Sequence, residues 1–368
     1  MNQSYTTWRN YLFNKDIPFH DKAWTVYRHQ LEHQPVYRRF CDELPERPPD
    51  NGPRSTEMAP DAIPLIPIQV FRDTAVRADY ADTPQAVFRS SGTTGMRQST
   101  HEIADLRLYF ESCHRGFSRF YDPNKYVLLA WLPGYSDNPE SSLVAMIDHL
   151  IQRDDTGMSR FLQPDQPLAG VDLSTVPGLN AAANLNTRRH RRSISRRNAN
   201  ENGSDAPVEK RRVMLFGAAF GLLDMVDAGA PKLPDDAIVV ETGGMKTRRR
   251  EISKEELRNK LADAFGLPVE SIHSEYGMAE MCSQAWDTGE GSFRCPPWLR
   301  ITVRNPENPM QVLPPGEEGL IGVMDLANVH SLAFFLTQDR GVALPDGSFR
   351  VMGRWDHAEL RGCNFLVE

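Results

Sequence analysis

The clearest periodic signal in the chain starts at Leu106. Leu106, Tyr109, Phe110, Cys113, Phe117 and Phe120 fall on one face at steps of three and four and predict an amphipathic helix. Just upstream, Ala86-Val87-Phe88-Arg89 is a short apolar run of the strand type. Residues 125–132 (KYVLLAWL) are almost continuously apolar and stop at Pro133-Gly134, the pattern of a strand buried on both faces of a parallel sheet. Asn138-Pro139 then reads as an N-cap with Pro at the first helical position, ahead of the stripe Leu143, Met146, Ile147, Leu150 and Ile151. Residues 213–216 and 237–240 predict two more strands, separated by an apolar helix through Leu222, Leu223 and Val226. Ser253-Lys254-Glu255-Glu256 is a capping box. The helix it opens buries Leu257, Leu261 and Phe265 and ends at Gly266 and Pro268. Strand–helix alternation over residues 86–266 predicts an α/β fold with a mainly parallel sheet.

The pattern changes on either side of this core. Residues 1–60 read as short helices and a connector rich in proline (Pro45, Pro48, Pro49, Pro53, Pro60), a surface strap that ends at the apolar run 63–70. After about Phe293, β-like runs at 299–304, 319–326 and 349–352 alternate with the turns Pro314-Pro315-Gly316 and Pro345-Asp346-Gly347, which predicts an antiparallel subdomain. The expected organisation is therefore an N-terminal piece (1–60), an α/β core (61–292), an antiparallel β subdomain (293–356) and a tail (357–368). Within the core, residues 186–212 hold a dense Arg cluster and few apolar positions, which predicts a disordered, solvated insertion. Such a segment is either a patch for RNA, acidic lipid or a partner protein, or simply an exposed loop between two strands.

A length of 368 residues fits one large domain plus a smaller one. With 42 basic and 49 acidic side chains the net charge is −7, which argues against a general nucleic-acid binder. The first fifteen residues have no apolar run of the export-signal type, and no stretch of eighteen apolar residues predicts a membrane span. Cys41, Cys113, Cys282, Cys295 and Cys363 are scattered without a C-x-x-C, which points to reduced thiols and a cytoplasmic location. Cys282, Cys295 and His273 match no zinc spacing, so buried structural thiols are expected there.

Four short stretches carry candidate chemistry. Ser90-Ser91-Gly92-Thr93-Thr94-Gly95 follows the strand at 86–89. Two glycines allow a tight turn whose N–H groups face an anion, and four hydroxyls can donate to phosphate oxygens. A helix beginning shortly afterwards would add its positive N-terminal dipole. In Glu275-Tyr276-Gly277-Met278-Ala279-Glu280, a Tyr ring can stack on a base and Glu280 can hold a Mg²⁺ ion bound to phosphates. Thr337-Gln338-Asp339-Arg340-Gly341 places a carboxylate before a glycine turn, where it can accept two ribose hydroxyls. In Gly353-Arg354-Trp355-Asp356, Arg354 can donate to ribose or phosphate and Asp356 can serve as a hinge. Taken singly, each also reads as an ordinary turn or strand end.

In this order and spacing the four stretches resemble those of the acyl-adenylate-forming superfamily of acyl-CoA synthetases, luciferases and peptide-synthetase adenylation domains, over roughly residues 60–363. Within it the chain is most similar to the acyl-protein synthetases (long-chain-fatty-acid–luciferin-component ligases). The chain is short, it stops soon after Gly353-Arg354-Trp355-Asp356, and its last residues include Arg361-Gly362-Cys363. The resemblance implies a large adenylate-forming N-terminal domain with mainly parallel sheets plus an antiparallel subdomain, the C-terminal small domain being essentially absent. It implies ATP-dependent activation of a carboxylic acid, a fatty acid foremost, to acyl-AMP. By the same resemblance, the acyl group would then pass to Cys363 and on to a reductase or carrier partner.

On residues, the resemblance implies that Ser90, Ser91, Gly92, Thr93, Thr94 and Gly95 cradle phosphates. Gly243 and Gly244 would line the nucleotide and acyl site. Tyr276 and Gly277 would border adenine, Glu280 would bind Mg²⁺, and Asp339 and Arg354 would hold the ribose. Phe216-Gly217-Ala218-Ala219-Phe220 would wall an acyl tunnel. Two departures stand out. Met96-Arg97-Gln98-Ser99 replaces the relatives' Pro-Lys pair after the phosphate loop, and the catalytic Lys of the missing small domain has no counterpart except Lys246, which also reads as a surface Lys in a basic run. A phenylacetate-CoA-ligase-like enzyme acting on CoA or a carrier thiol, and a relative that binds nucleotide or acyl groups without turnover, remain alternatives.

Overall fold

The computed structural model describes residues 5–50, 58–81, 83–90, 98–133, 138–162, 211–243 and 252–355. Its helices are α1 (Tyr5–Leu12), α2 (Phe19–His33), α3 (Pro35–Asp42), α4 (Val70–Asp73), α5 (Leu106–Phe120), α6 (Ser142–Gln152), α7 (Ala219–Asp227) and α8 (Lys254–Phe265). The strands are β1 (Ile66–Pro67), β2 (Ala86–Arg89), β3 (Thr100–Ile103), β4 (Tyr126–Trp131), β5 (Arg160–Phe161), β6 (Arg212–Ala218) and β7 (Ile238–Thr242). They continue with β8 (Ile272–Tyr276), β9 (Ala285–Asp287), β10 (Leu299–Arg304), β11 (Glu318–Asp325), β12 (Phe334–Ala343) and β13 (Phe349–Arg354). The fold is mixed α/β. Contacts divide it into two compact units, one made of residues 1–119, 139–146 and 275–368, the other of 120–138 and 147–274. Among the described residues no helix is long and apolar enough to cross a membrane.

The first unit is built on a sheet of order β1-β12-β11-β10, with β13 also paired to β12. All its ladders are antiparallel except β1–β12. The N-terminal helices are core elements and not the expected surface strap, because their aromatic side chains need burial: Trp8, Trp24, Tyr27 and Tyr37 are almost wholly enclosed. Tyr27 and Tyr37 pack near the Phe334 ring of β12. Their hydroxyls donate to the carbonyls of Pro48 and Pro64, so proline-flanked backbone is held by buried phenols. Gln30 of α2 donates from Nε2 to the carbonyls of Asn328 and Ser331 and accepts from the Ala333 N–H, fixing the turn that leads into β12.

Two local expectations are corrected in this unit. β2 and β3 form their own antiparallel pair, extended by the Ser90 N–H to the Ser99 carbonyl, so the hydroxyl-glycine segment is followed by a strand and not by a helix. The helix dipole invoked for it does not apply, since α5 starts only at Leu106, after β3. The N-cap of α6 is Ser141, whose Oγ accepts from the Val144 N–H at 3.3 Å, and not Asn138. Glu140 is pulled out of helical conformation by its carbonyl, which accepts from the Arg89 N–H, and by its ion pair with Arg89 at 2.8 Å.

The second unit carries a sheet of order β5-β4-β6-β7-β8. Its β5–β4, β4–β6 and β6–β7 ladders are parallel, as the continuous apolar runs predicted. Leu129, Leu215 and Val239 pack with Leu222 of α7 and Leu261 and Phe265 of α8 in one core. The serine half of the capping box forms: Ser253 Oγ accepts from the Glu256 N–H, while the Glu256 carboxylate pairs with Lys260 instead, and Gly266 ends α8 in the left-handed region at φ 72°. The C-terminal end of the arginine-rich insertion is ordered, against expectation. Arg212 opens β6, and Arg211 pairs with Asp154 at 2.9 Å, because a buried carboxylate requires a cation and donors. Residues 186–210 lie outside the described residues.

Candidate active site

The first unit brings three of the four motif stretches into contact. Tyr276 ends β8, Asp339 lies in β12 and Arg354 ends β13. The β12–β13 register sets Asp339 directly opposite Arg354. Asp339 Oδ2 accepts from the Tyr276 hydroxyl at 2.9 Å, and Asp339 Oδ1 accepts from Arg354 Nε at 3.1 Å. The Asp339 N–H donates to Thr337 Oγ1, which orients the carboxylate from behind. Asp339 is thus inside a strand, and the glycine turn expected there is absent. Gly341 serves close strand approach instead, since a Cβ on it would sit 2.7 Å from Ile321 Cγ1 and 2.9 Å from the Arg350 carbonyl. Arg354 keeps 63% of its side chain exposed, so its guanidinium also faces solvent.

Tyr276 packs against the rings of Phe293 and Phe349 at centroid distances of 5.9 and 5.6 Å. Burial, with the Asp339 carboxylate next in effect, pushes its phenol well above the ordinary range, so it stays a proton donor. With 8% exposure the ring has little surface left for stacking on a base. Gly277 follows where a Cβ would lie 2.3 Å from Glu275 Oε1.

Glu280 sits in the loop after β8. It is buried, and its carboxylate has no hydrogen-bond partner among the described residues. The backbone around it is held by three buried side chains. His101 Nδ1 contacts the Ala279 carbonyl at 2.8 Å, and Asn328 Nδ2 donates to the Glu280 carbonyl at 2.8 Å. Asp325 accepts from the N–H groups of Cys282 and Ser283, both at 2.8 Å, and from Ser283 Oγ at 2.5 Å. Burial pushes the Asp325 carboxyl up to about 6 despite these donors. Nothing in the sequence marks His101, Asn328 or Asp325, because their partners are 178, 48 and 43 residues away.

The second unit holds other sequence candidates. Gly243 follows β7 at φ 74°, where open space surrounds a hypothetical Cβ. Residues 216–220 span the end of β6 and the start of α7 and are all buried. Glu241, fully buried on β7, accepts from Ser274 Oγ at 2.5 Å and from Lys254 Nζ. Of the phosphate-loop candidates only Ser90 is described, and its Oγ accepts from the Ser99 N–H at 3.0 Å. Ser91, Gly92, Thr93, Thr94, Gly95, Gly244, Lys246, Asp356 and Cys363 lie outside the described residues. Among those described, no three His, Cys, Asp or Glu side chains are grouped to hold a metal. Cys41, Cys113, Cys282 and Cys295 are free thiols, and burial pushes Cys113 up to about 12.

Residues 214–368 match the family model described as acyl-protein synthetase, LuxE. Comparison of the sequence with curated proteins gives no match. Among solved structures, an open conformation of 2-hydroxyisobutyryl-CoA ligase in complex with 2-HIB-AMP and CoA is similar in fold. Its TM-score is 0.58 at 15% identity, over 92% of this chain and 69% of that one. The same ligase in its postadenylation state with 2-HIB-AMP gives a TM-score of 0.56 at 15% identity, over 91% of this chain and 67% of that one. The chain thus spans about two thirds of that ligase's length. The family match contains β8, β12 and β13 and therefore the Tyr276–Asp339–Arg354 cluster, and over most of the chain the fold is similar to that of 2-hydroxyisobutyryl-CoA ligase.

Proposed function

We propose that the chain uses ATP to convert a carboxylic acid, a fatty acid foremost, into acyl-AMP and then passes the acyl group to a thiol. The observation that carries this reading is the hydrogen-bonded cluster of Tyr276, Asp339 and Arg354. It is drawn from stretches 63 and 15 residues apart and has a strand-held carboxylate at its centre. Each Asp339 oxygen has a lone pair beyond the one it already uses, so the group suits a vicinal diol such as the ribose of ATP. Tyr276 acts through its hydroxyl, which holds Asp339, and Gly277 borders the base. Arg354, largely exposed, donates to ribose or phosphate.

A Mg²⁺ ion would be held by Glu280, whose unpartnered carboxylate fits a hard cation that takes its other ligands from phosphates and water. There the ion would neutralise phosphate charge. Ser90 to Gly95 would cradle the phosphates with their N–H and hydroxyl groups, and Gly243 and Gly244 would line the nucleotide and acyl site. Lys246 is the candidate cation for the departing charge. In the first step a carboxylate oxygen bonds to the α-phosphorus and the bond to the bridging pyrophosphate oxygen breaks. In the second, the Cys363 thiolate bonds to the acyl carbon and AMP leaves with the electron pair. Arg361 and His357, close in sequence, would favour the thiolate. A reductase or carrier partner would then receive the acyl group.

Pyrophosphate–ATP exchange measured over a panel of acids tests the first step. Exchange dependent on a carboxylate is expected, and its absence for every acid defeats the reading. For the second step, intact mass after incubation with ATP and the best acid should show one acyl adduct, lost in Cys363→Ser. An adduct that persists in that variant removes Cys363 as acceptor. Acylation of added CoA without a protein adduct would favour the ligase-type alternative.

A further inference from the structure

We propose that His101 and Asn328 are positioning residues that hold the backbone of Ala279 and Glu280 so that the Glu280 carboxylate is presented, unpartnered, to a metal–nucleotide complex. The inference rests on the reading of Glu280 given above and deepens it. Two consecutive carbonyls, those of Ala279 and Glu280, are each gripped by a buried side chain from a different part of the first unit. His101 is fully buried, and its Nε2 lies 2.8 Å from Ser331 Oγ. A carbonyl cannot donate, so Nδ1 carries the proton and Nε2 accepts from the serine hydroxyl. Burial pushes this imidazole down to about 4, which keeps it in that neutral tautomer.

Asn328 uses both Nδ2 hydrogens, one on the Glu280 carbonyl and one on the Leu332 carbonyl. The turn that carries Asn328 and Ser331 is fixed in turn by Gln30 of α2. Asp325 ties down Cys282 and Ser283, one residue further on, through their N–H groups. Four residues of this loop, Ala279, Glu280, Cys282 and Ser283, therefore have a backbone group bonded to a buried polar side chain, while the Glu280 side chain itself has no hydrogen-bond partner among the described residues. A backbone over-determined in this way presents one carboxylate at fixed position. His101 is also the second residue of β3, the strand that follows the hydroxyl-glycine segment. One imidazole thus couples the strand leaving one candidate phosphate-contacting stretch to the loop of another.

The test is the affinity of the whole chain for Mn²⁺·ATP, read from free Mn²⁺ by electron paramagnetic resonance, so that turnover is not needed. His101→Leu removes the donor to Ala279, and binding should weaken about tenfold, the size expected when one buried carbonyl is left unpartnered. His101→Asn returns a donor near the Nδ1 position and should restore most of the affinity. Ser331→Ala perturbs the same network but leaves the Ala279 contact, and should lower the melting temperature without changing affinity. Amide exchange over residues 276–283 should quicken in His101→Leu and recover in His101→Asn. Affinity unchanged in folded His101→Leu, or lost equally in Ser331→Ala, overturns the proposal. A wild-type chain that fails to bind Mn²⁺·ATP defeats instead the nucleotide reading on which it rests.

Discussion

Asp339 divides its two carboxylate oxygens between a phenol and a guanidinium. Asp339→Asn keeps the shape but turns one oxygen into an amide that cannot accept. One of the two bonds is lost, and a buried hydroxyl or the Arg354 Nε–H is left facing a donor. The expected result is a rise of about tenfold or more in KM for ATP, since hydrogen bonds to charged groups are worth about 1.5–3 kcal/mol. Tyr276→Phe separates hydroxyl from ring. With so little ring exposed, most of the effect of losing Tyr276 should already appear in Phe. Pyrophosphate exchange at varied ATP checks both, and a Tyr276→Phe enzyme with wild-type KM would show that the hydroxyl is not what positions Asp339.

At the scale of elements, α8 is the simplest case. Its N-cap is a single serine hydroxyl on the Glu256 N–H, so Ser253→Ala should cost about 1 kcal/mol of stability. Denaturant unfolding checks this; a shift of the midpoint without loss of exchange activity is expected. The cap was legible because capping chemistry is local, and so were β4, β6 and β7, whose unbroken apolar runs require burial on both faces. β12 was not legible. Thr337-Gln338-Asp339-Arg340-Gly341 is polar enough to read as a turn, yet its side chains are satisfied by neighbours: Thr337 Oγ1 donates to the Ile321 carbonyl, and Arg340 pairs with Glu318. The same limit applies to the site. Sequence order nominated Tyr276, Asp339 and Arg354, but only the β12–β13 register shows that two of them face each other. His101, Asn328 and Asp325 could not be found at all, because a residue that grips a distant backbone carbonyl or N–H leaves no periodicity and no motif.

Across the whole molecule the buried titratable groups set a direction for acid stability. His29, His101, His273 and His330 are each pushed down by burial to about 4 from an ordinary 6.5. Between these values the unfolded chain binds a proton at each site and the folded chain does not, so stability falls as pH drops from about 6.5 to about 4. Asp325 works the other way. Its folded value of about 6 lies above the ordinary 3.8, so it favours the folded state below about 4 and that contribution is lost as pH rises through about 6. Among the described residues, four imidazoles against one carboxyl leave a net of about three protons, each worth roughly 1.4 kcal/mol per pH unit where it titrates fully. Even after generous discounting, a fall of several kcal/mol is comparable with the whole stability of an ordinary domain. The chain should therefore unfold in mild acid, with urea midpoints dropping steadily between pH 6.5 and 4.5. Asp325→Asn removes this opposing titration, so its midpoints should fall more steeply with acid than those of the wild type. Midpoints that hold level or rise on acidification would mean that these imidazoles are not kept neutral by burial.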